Sequence, residues 1–182
     1  MIERIKNLTT GHNTAILLCF FFGHAVFHFM AQSFSVLLPS IQETFTVTPI
    51  QIGALITTRE IVTAISGLPG GILADYFHKY RSHLLNGCLV VFTIGWLLVA
   101  LAPRFGVLFV AMVFIAVAIA VWHLPSLVEL GRRYPSHRGT VFAIHGAGGT
   151  TGDILGPMLT GLLLTSISWR TIIASYLLLP LG

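Results

Sequence analysis

Long apolar runs separated by short polar gaps dominate the chain. A membrane-spanning helix needs about 20 mostly apolar residues to cross roughly 30 Å of hydrocarbon. A sixth run begins at Thr171 and reaches Gly182 after twelve residues, which is roughly 18 Å of helix and too short to cross. The pattern therefore predicts an all-α membrane protein with an incomplete last helix, 171–182, and five complete ones: 14–38, 50–74, 83–102, 106–130 and 139–165.

Basic residues in the short gaps predict the orientation in the membrane. The gaps also hold Pro39, Pro49, Pro103 and Pro135, where helix breaks are expected. Lys and Arg accumulate in cytoplasmic loops. Only Arg104 and Arg170 fall on the side opposite the N-terminus, whereas seven share its side: Arg4, Lys6, Lys79, Arg81, Arg132, Arg133 and Arg138. The N-terminal lead, residues 1–13, is therefore predicted to lie in the cytoplasm, and the protein is predicted to lie in a bacterial inner (plasma) membrane.

Composition agrees with a bilayer as the solvent. The chain is 55% hydrophobic and 9% charged, whereas a soluble domain carries about 25% charged residues. A formal net charge of +4 arises from only ten Lys and Arg, which form no single face, so a nucleic-acid partner is not expected. No phosphate-binding loop, CxxC or dinucleotide fingerprint is present. The sequence thus predicts neither an enzyme nor a bound cofactor.

The first helix carries a polar stripe. His24, His28, Gln32 and Ser35 are spaced by four, four and three residues, which places them on one helical face. His24 lies about ten residues into the run, roughly 15 Å deep. A polar side chain at that depth must find a partner or line water. The stripe is predicted to line a water-filled cavity, and the alternative is that each imidazole bonds a neighbouring helix.

Helices 2 and 4 add further polar side chains. Arg59 and Glu60 lie near mid-depth and, as adjacent residues, point about 100° apart, so each is expected to meet a group other than its neighbour. Arg59 is a candidate clamp for an anionic substrate. Glu60 is a candidate proton carrier, because burial disfavours an ionised carboxylate; a buried structural network is the alternative. Helix 4 places His123 and Glu129 towards its cytoplasmic end.

Helix 5 combines small and polar residues. Gly148, Gly152 and Gly156 recur every four residues and are followed by Pro157. This small-xxx-small seam lets another helix approach closely, and the proline kinks or stiffens the helix beside it. His145 and Asp153 lie on the same helix, and Asp153 is a further candidate for proton coupling.

Histidines also permit two other kinds of site. His24 and His28, at i and i+4, can share a metal ion such as iron or another divalent cation, although two ligands do not complete a site. Histidines in a helix bundle can also ligate haem. A metal-ion carrier and a haem-bearing electron-transfer module are therefore kept as alternatives.

The loop after helix 2 resembles a motif of the major facilitator superfamily of secondary transporters. That motif reads approximately G-x-L-A-D-R-x-G-R-R, and the stretch GILADYFHKYR over 71–81 matches it at Gly71, Leu73, Ala74 and Asp75, with Lys79 at a basic position. It departs where Tyr76 replaces Arg, His78 replaces Gly and Tyr80 replaces a basic residue.

Helix 5 strengthens the resemblance. The stretch GDILGPMLTG from Gly152 to Gly161 is similar to the family pattern G-x-x-x-G-P-x-x-x-G, and Trp169–Arg170 before helix 6 also resembles the family. The Arg usual early in helix 4 is absent, because FVAMVFIAVAIA contains no charge. The GHAVFHF start of helix 1 resembles the fosmidomycin-resistance-like exporters.

The resemblance implies a twelve-helix fold in two six-helix halves, with this chain as the N-terminal half and the C-terminal six-helix half as its missing partner. It implies that helices 2 and 5 pack against the other half, which suits the glycine seam. It also implies a gating network in which Gly71 closes helix 2 and Asp75 faces the other half, with Lys79 or Arg81 and the acid at Glu129. Helices 1 and 4 would line the substrate cavity, and the candidate cavity residues are His24, His28, Gln32, Arg59 and His123.

The function expected from these features is proton-coupled export of a small organic or drug-like solute by alternating access. The partners expected are the lipid bilayer, the solute and protons. The proton-coupling candidates are Glu60, His24, His28 and Asp153. The helix-5 motif residues are Gly148, Gly152, Gly156, Pro157 and Gly161.

Overall fold

Helices form every regular element in the part of the chain that the structure describes. The computed structural model describes residues 11–181, with side chains from 14 to 180, so most of the predicted lead 1–13 lies outside the described residues. Two short 3-10 turns, His78–Tyr80 and Leu179–Leu181, accompany the helices. The prediction of an all-α fold is confirmed by six helices: α1 Gly11–Phe45, α2 Pro49–Tyr76, α3 Arg81–Leu101, α4 Phe105–Arg133, α5 Arg138–Leu164 and α6 Trp169–Tyr176. The expectation that Gly71 closes the second helix was wrong, because α2 continues through this glycine to Tyr76.

The predicted end of the first helix at Pro39 was wrong, because α1 continues through this proline to Phe45. Proline removes one backbone hydrogen bond, and packing by neighbouring helices sustains a transmembrane helix across such a site. Ile41 is fully buried beyond the proline, and Thr44 accepts a hydrogen bond at 2.9 Å from the indole of Trp169. The last two turns of α1 are therefore held by tertiary contacts that a single proline does not reveal.

A short capped turn starts α2. The hydroxyl of Thr48 accepts from the backbone N–H of Gln51, and the Gln51 side chain accepts from the backbone N–H of Thr48 at 2.8 Å. Pro49 occupies the first helical position, where its missing N–H costs nothing. The gap between α1 and α2 is thus only residues 46–48, which forces the two helices to run in opposite directions.

Three of the described helices combine the length and the apolarity needed to cross a membrane: Thr14–Phe45, His78–Leu101 and Phe105–Arg133. Five had been predicted. The other two long helices, α2 and α5, contain 28 and 27 residues, or about 40 Å of helix. Charges such as Arg59, Glu60 and Asp153, together with glycines, lower their mean hydropathy.

Two groups of helices make up the bundle. α1 packs along α5, whereas α2 and α3 both pack along α4. Aromatic side chains fill the centre, with Phe27 and Phe92 at 4.4 Å and Phe34 and Trp96 at 5.6 Å between ring centroids. Because lipid is as apolar as these residues, such a bundle gains stability mainly from close packing.

The glycine seam of α5 faces α1. A Cβ atom at Gly148, Gly152 or Gly156 would overlap the backbone of Phe21, Ala25 or Phe29, respectively. The expectation that this seam packs against the other half is therefore wrong, since its partner is a helix of the same half. A small-xxx-small stripe specifies close approach but does not specify which helix approaches.

Trp169 and Arg170 tie the start of α6 to the ends of α1 and α3. The Arg170 guanidinium donates to the carbonyl of Ala100 at 2.9 Å. The same cation lies 4.4 Å from the ring centroid of Trp169 and 5.5 Å from that of Phe45, within cation–π range. This end of the bundle is held by directional contacts as well as by packing.

Candidate functional site

Three helices bring polar side chains together inside the bundle. His24 is the centre, with the His145 ring stacked on it at 4.1 Å and the His28 and His123 ring centroids at 4.5 and 4.9 Å. We refer to the group as the histidine cluster, consisting of His24 and His28 on α1, His123 on α4, and His145 and Asp153 on α5. The interior of an apolar bundle thus holds four imidazoles and a carboxylate.

Local sequence places these groups on facing surfaces. His24 and His28 lie one turn apart on α1, and the backbone of Gly149 on α5 fits against both rings. A Cβ atom at Gly149 would lie 2.8 Å from His24 Cε1 and 3.2 Å from His28 Nε2. Trp122 stacks beside His24 and His145 at 6.2 and 5.7 Å. The cluster therefore depends on the absence of a side chain at Gly149 and on the indole ring of Trp122, which borders it on another side.

Pro157 adds a polar backbone group near Asp153. A proline cannot donate to the carbonyl four residues earlier, and that carbonyl belongs to Asp153. The carbonyl of Asp153 therefore receives no hydrogen bond from residue 157, and it lies beside a side chain that is itself an acceptor.

Hydrogen bonds orient two of the rings. His24 Nδ1 lies 2.7 Å from the carbonyl oxygen of His145, and His123 Nδ1 lies 2.8 Å from that of Ile119. A carbonyl oxygen only accepts, so both Nδ1 atoms donate. The two Nε2 atoms face each other at 3.1 Å.

His28 and Asp153 form the more exposed edge of the cluster. His28 Nδ1 lies 2.9 Å from Asp153 Oδ1, and the side chains are 34% and 40% exposed. His24, in contrast, is 9% exposed. The hydrogen-bonded His28–Asp153 pair is therefore accessible from outside, whereas the central imidazole is enclosed.

Other predicted site residues lie apart from the cluster. Gln32 is exposed. Arg59 and Glu60 pair with each other at 2.6 Å, so the expectation that adjacent residues would not pair was wrong. Their long side chains bend towards one another over the helix surface, which a comparison of Cα–Cβ directions omits. Within the described residues, neither makes a hydrogen bond or an ion pair with the cluster.

Sequence reasoning assigned no role to His145, although its ring stacks on His24. Gly149 and Asp153 follow it at four-residue intervals, a spacing that puts all three on one face of α5. That periodicity, set beside the stripe of α1, is the signal that could have indicated the partner of His24.

The distances between histidine ring nitrogens bear on the predicted alternative of a metal-ion site. One ring nitrogen from each of His24, His28 and His123 lies within 4.8 Å of the others. An ion about 2.1 Å from each imidazole nitrogen holds those nitrogens at most about 4.2 Å apart. An upper bound of 4.8 Å is close to that spacing, so the metal-ion carrier stays an alternative.

A charged network lies further along α4, six residues beyond His123 and close to the C-terminal end of the helix. Arg81 is 7% exposed and pairs with Glu129 at 3.0 Å, and Arg133 reaches the second carboxylate oxygen at 3.3 Å. Of the two predicted basic partners, Arg81 makes this contact, whereas Lys79 is exposed. Asp75 is also exposed, and its backbone carbonyl accepts from His78 at 3.2 Å. Arg81, Arg133 and Glu129 line a cavity of about 490 Å³ that reaches Trp122.

Comparison with known proteins identifies the family. Residues 20–181 match the model of the Major Facilitator Superfamily. The chain is 29% identical over 150 residues to multidrug resistance protein Stp of Mycobacterium tuberculosis, covering 81% of the chain and 27% of the relative. It is 35% identical over 89 residues to a probable 4-methylmuconolactone transporter of Cupriavidus pinatubonensis, covering 49% of the chain and 20% of the relative. The chain thus spans about a quarter of the length of these relatives.

A solved structure agrees on the fold. The crystal structure of a bacterial homologue of the human lysosomal transporter Spinster, inward-facing and unoccupied, superposes with a TM-score of 0.74 at 20% identity. The match covers 92% of this chain and 41% of that chain. Six helices in this order, the apolar spans and the family match lead to one conclusion: the chain is an integral membrane protein that belongs to the major facilitator superfamily.

Proposed function

We propose that this chain forms one half of a secondary transporter that exports a small organic or drug-like solute in exchange for protons. Family membership supports transport, and the names of the two relatives, a multidrug resistance protein and a 4-methylmuconolactone transporter, support a small organic solute. The observation that carries proton coupling is the histidine cluster, because ionisable groups are costly inside a membrane bundle and mark ion or proton pathways.

The second half of the transporter would cover α2 and α5. Apolar side chains on both helices are exposed, including Ile61, Ile65 and Leu68 on α2 and Ile154 and Met158 on α5. Such a surface suits a second helical bundle across a central pathway. The basic residues in and beside the α2–α3 and α4–α5 connections support a cytoplasmic location for that end, in a bacterial inner membrane.

Proton entry is proposed at the His28–Asp153 pair. This pair is partly exposed and hydrogen-bonded, and it adjoins the enclosed His24 ring. A proton that arrives from the pathway can reach the cluster there without crossing the apolar core. Glu60 is a weaker candidate than Asp153, because its carboxylate is 60% exposed and already paired with Arg59.

Asp75 is proposed as a latch to the second half. Its exposure at the end of α2 leaves it free to meet the N-terminus of a helix on another bundle, where a negative charge is favoured. The buried Arg81–Glu129 pair would fix the position of the neighbouring loop from within.

Replacing Asp153 by Asn tests the proposal. In everted membrane vesicles that contain the complete transporter and have an acidic interior, we expect uptake driven by the pH gradient to fall at least tenfold for Asp153→Asn. Solute exchange in the absence of a gradient should persist, because the amide keeps the shape of the site but binds no proton. The measurement is uptake of labelled 4-methylmuconolactone and of a panel of drug-like molecules, with dye-reported proton efflux.

Glu60→Gln is the matched control, since it removes the carboxylate of a long helix that lies outside the cluster. Gradient-driven uptake should remain near the unmodified level. Loss of uptake in Glu60→Gln, with normal uptake in Asp153→Asn, would assign the coupling to α2 and reject the cluster.

A further inference from the structure

Three contacts around His24 and His123 constrain where their protons lie. Each ring directs Nδ1 at a carbonyl oxygen, at 2.7 Å for His24 and 2.8 Å for His123. The third contact is the 3.1 Å approach of the two Nε2 atoms. All three distances fall in the range of true hydrogen bonds, and each bond needs one hydrogen.

Two neutral imidazoles supply only two of these hydrogens. If both protons stay on Nδ1, the Nε2 lone pairs face each other at 3.1 Å. If either ring switches tautomer, an Nδ1 lone pair instead faces a carbonyl oxygen. Every neutral arrangement therefore leaves one repulsive contact in a buried site, where an unmade hydrogen bond costs most. One additional proton satisfies all three contacts at once.

The surroundings accommodate the resulting positive charge. His28 and Asp153 lie on the α1–α5 side, and the Asp153 carboxylate supplies the negative charge. The His145 ring stacks on His24 with only 4° between the ring planes, so its N–H groups lie in a parallel plane and do not point at the Nε2 atoms. Trp122 on α4 contributes only its ring face. An opposite charge inside the cluster lowers the cost of burying the added proton.

We propose that His24 and His123 bind a single proton between their Nε2 atoms, as an imidazole–imidazolium pair that bridges α1 and α4. The sharing of the proton stands on the geometry of these two rings. Its identity as the proton exchanged for solute rests on the proposed function.

Nitrogen-15 NMR of the full chain in nanodiscs, with labelled histidine, tests the sharing without any solute. On acidification we expect a coupling across the hydrogen bond between the Nε2 nuclei of His24 and His123, and uptake of one proton by the pair. In the neutral state both rings should be protonated at Nδ1. Absence of the coupling at every pH at which the chain stays folded, or independent protonation of the two rings, would overturn the proposal.

Two variants sharpen the result. In His123→Gln, the amide can donate to His24 Nε2, so His24 should stay neutral at the pH at which the unmodified pair takes up its proton; proton uptake by His24 at that same pH would contradict the proposal. In His145→Phe, the stack and the backbone carbonyl are retained, so the coupling should persist; its loss there would also contradict the proposal. If the coupling is present but vesicles exchange no protons for solute, the shared proton stands and the transport proposal fails.

Discussion

Replacing Gly152 by Ala is expected to destabilise the bundle by about 1–3 kcal/mol, the usual cost of overpacking a close-packed interface. The added methyl group would overlap the carbonyl oxygen of Ala25 and approach the backbone nitrogen of Phe29. Neither is the end of a flexible side chain, so α1 and α5 must separate. The measurement is the midpoint of thermal unfolding in detergent, followed by circular dichroism.

Gly146→Ala provides the matched control on the same helix. A Cβ at position 146 meets nothing within 4 Å, and alanine is the better helix former. Its unfolding midpoint should match or exceed that of the unmodified chain. Equal losses in the two variants would show that helix flexibility, and not the α1 contact, explains the requirement for glycine at 152.

Replacing Glu129 by Gln should cost about 3–5 kcal/mol, because it leaves a buried guanidinium without its counter-ion. The Arg81 side chain is 8% exposed, and its partner carboxylate is 18% exposed. Guanidinium cannot escape by losing its proton, so the penalty falls on the folded state. Detergent unfolding with and without the substitution measures it.

Two further variants test whether the burial of the Arg81 cation, and not the number of ion pairs, determines the loss of stability. Arg133→Gln removes the more exposed partner of the same carboxylate, at 36% exposure, and should cost under about 1 kcal/mol. Combining Arg81→Met with Glu129→Leu removes both buried charges and should recover most of the stability lost in Glu129→Gln. A double variant as unstable as the single one would show that packing, and not the unpaired cation, sets the cost.

The helices were predictable because apolar length and turn residues are local properties. Neighbouring residues determine the capping box of Thr48 and Gln51 and the helix break at Pro103. The order of the helices follows from such local signals. Continuation of α1 past Pro39 was not predictable, because the contacts that hold it come from Trp169, far away in the sequence.

The candidate site was only partly predictable for a similar reason. The stripe of His24 and His28 is periodic within one helix, so sequence alone indicates it. Whether these rings face His123, His145 or Arg59 depends on how helices pair, and periodicity within each helix does not contain that information. The glycine seam shows the same limit, since its spacing predicts a close neighbour without naming α1.

The backbone-to-backbone contact of α1 and α5 has a mechanical consequence. We expect two helices joined this closely along their length to move as one body, and α2, α3 and α4, which pack against one another, to move as a second. Four members of the cluster travel with the first body, whereas His123 travels with the second. The 3.1 Å distance between the Nε2 atoms of His24 and His123 therefore depends on the relative position of the two bodies. A shift of about one ångström along their boundary would break the hydrogen bond between these atoms.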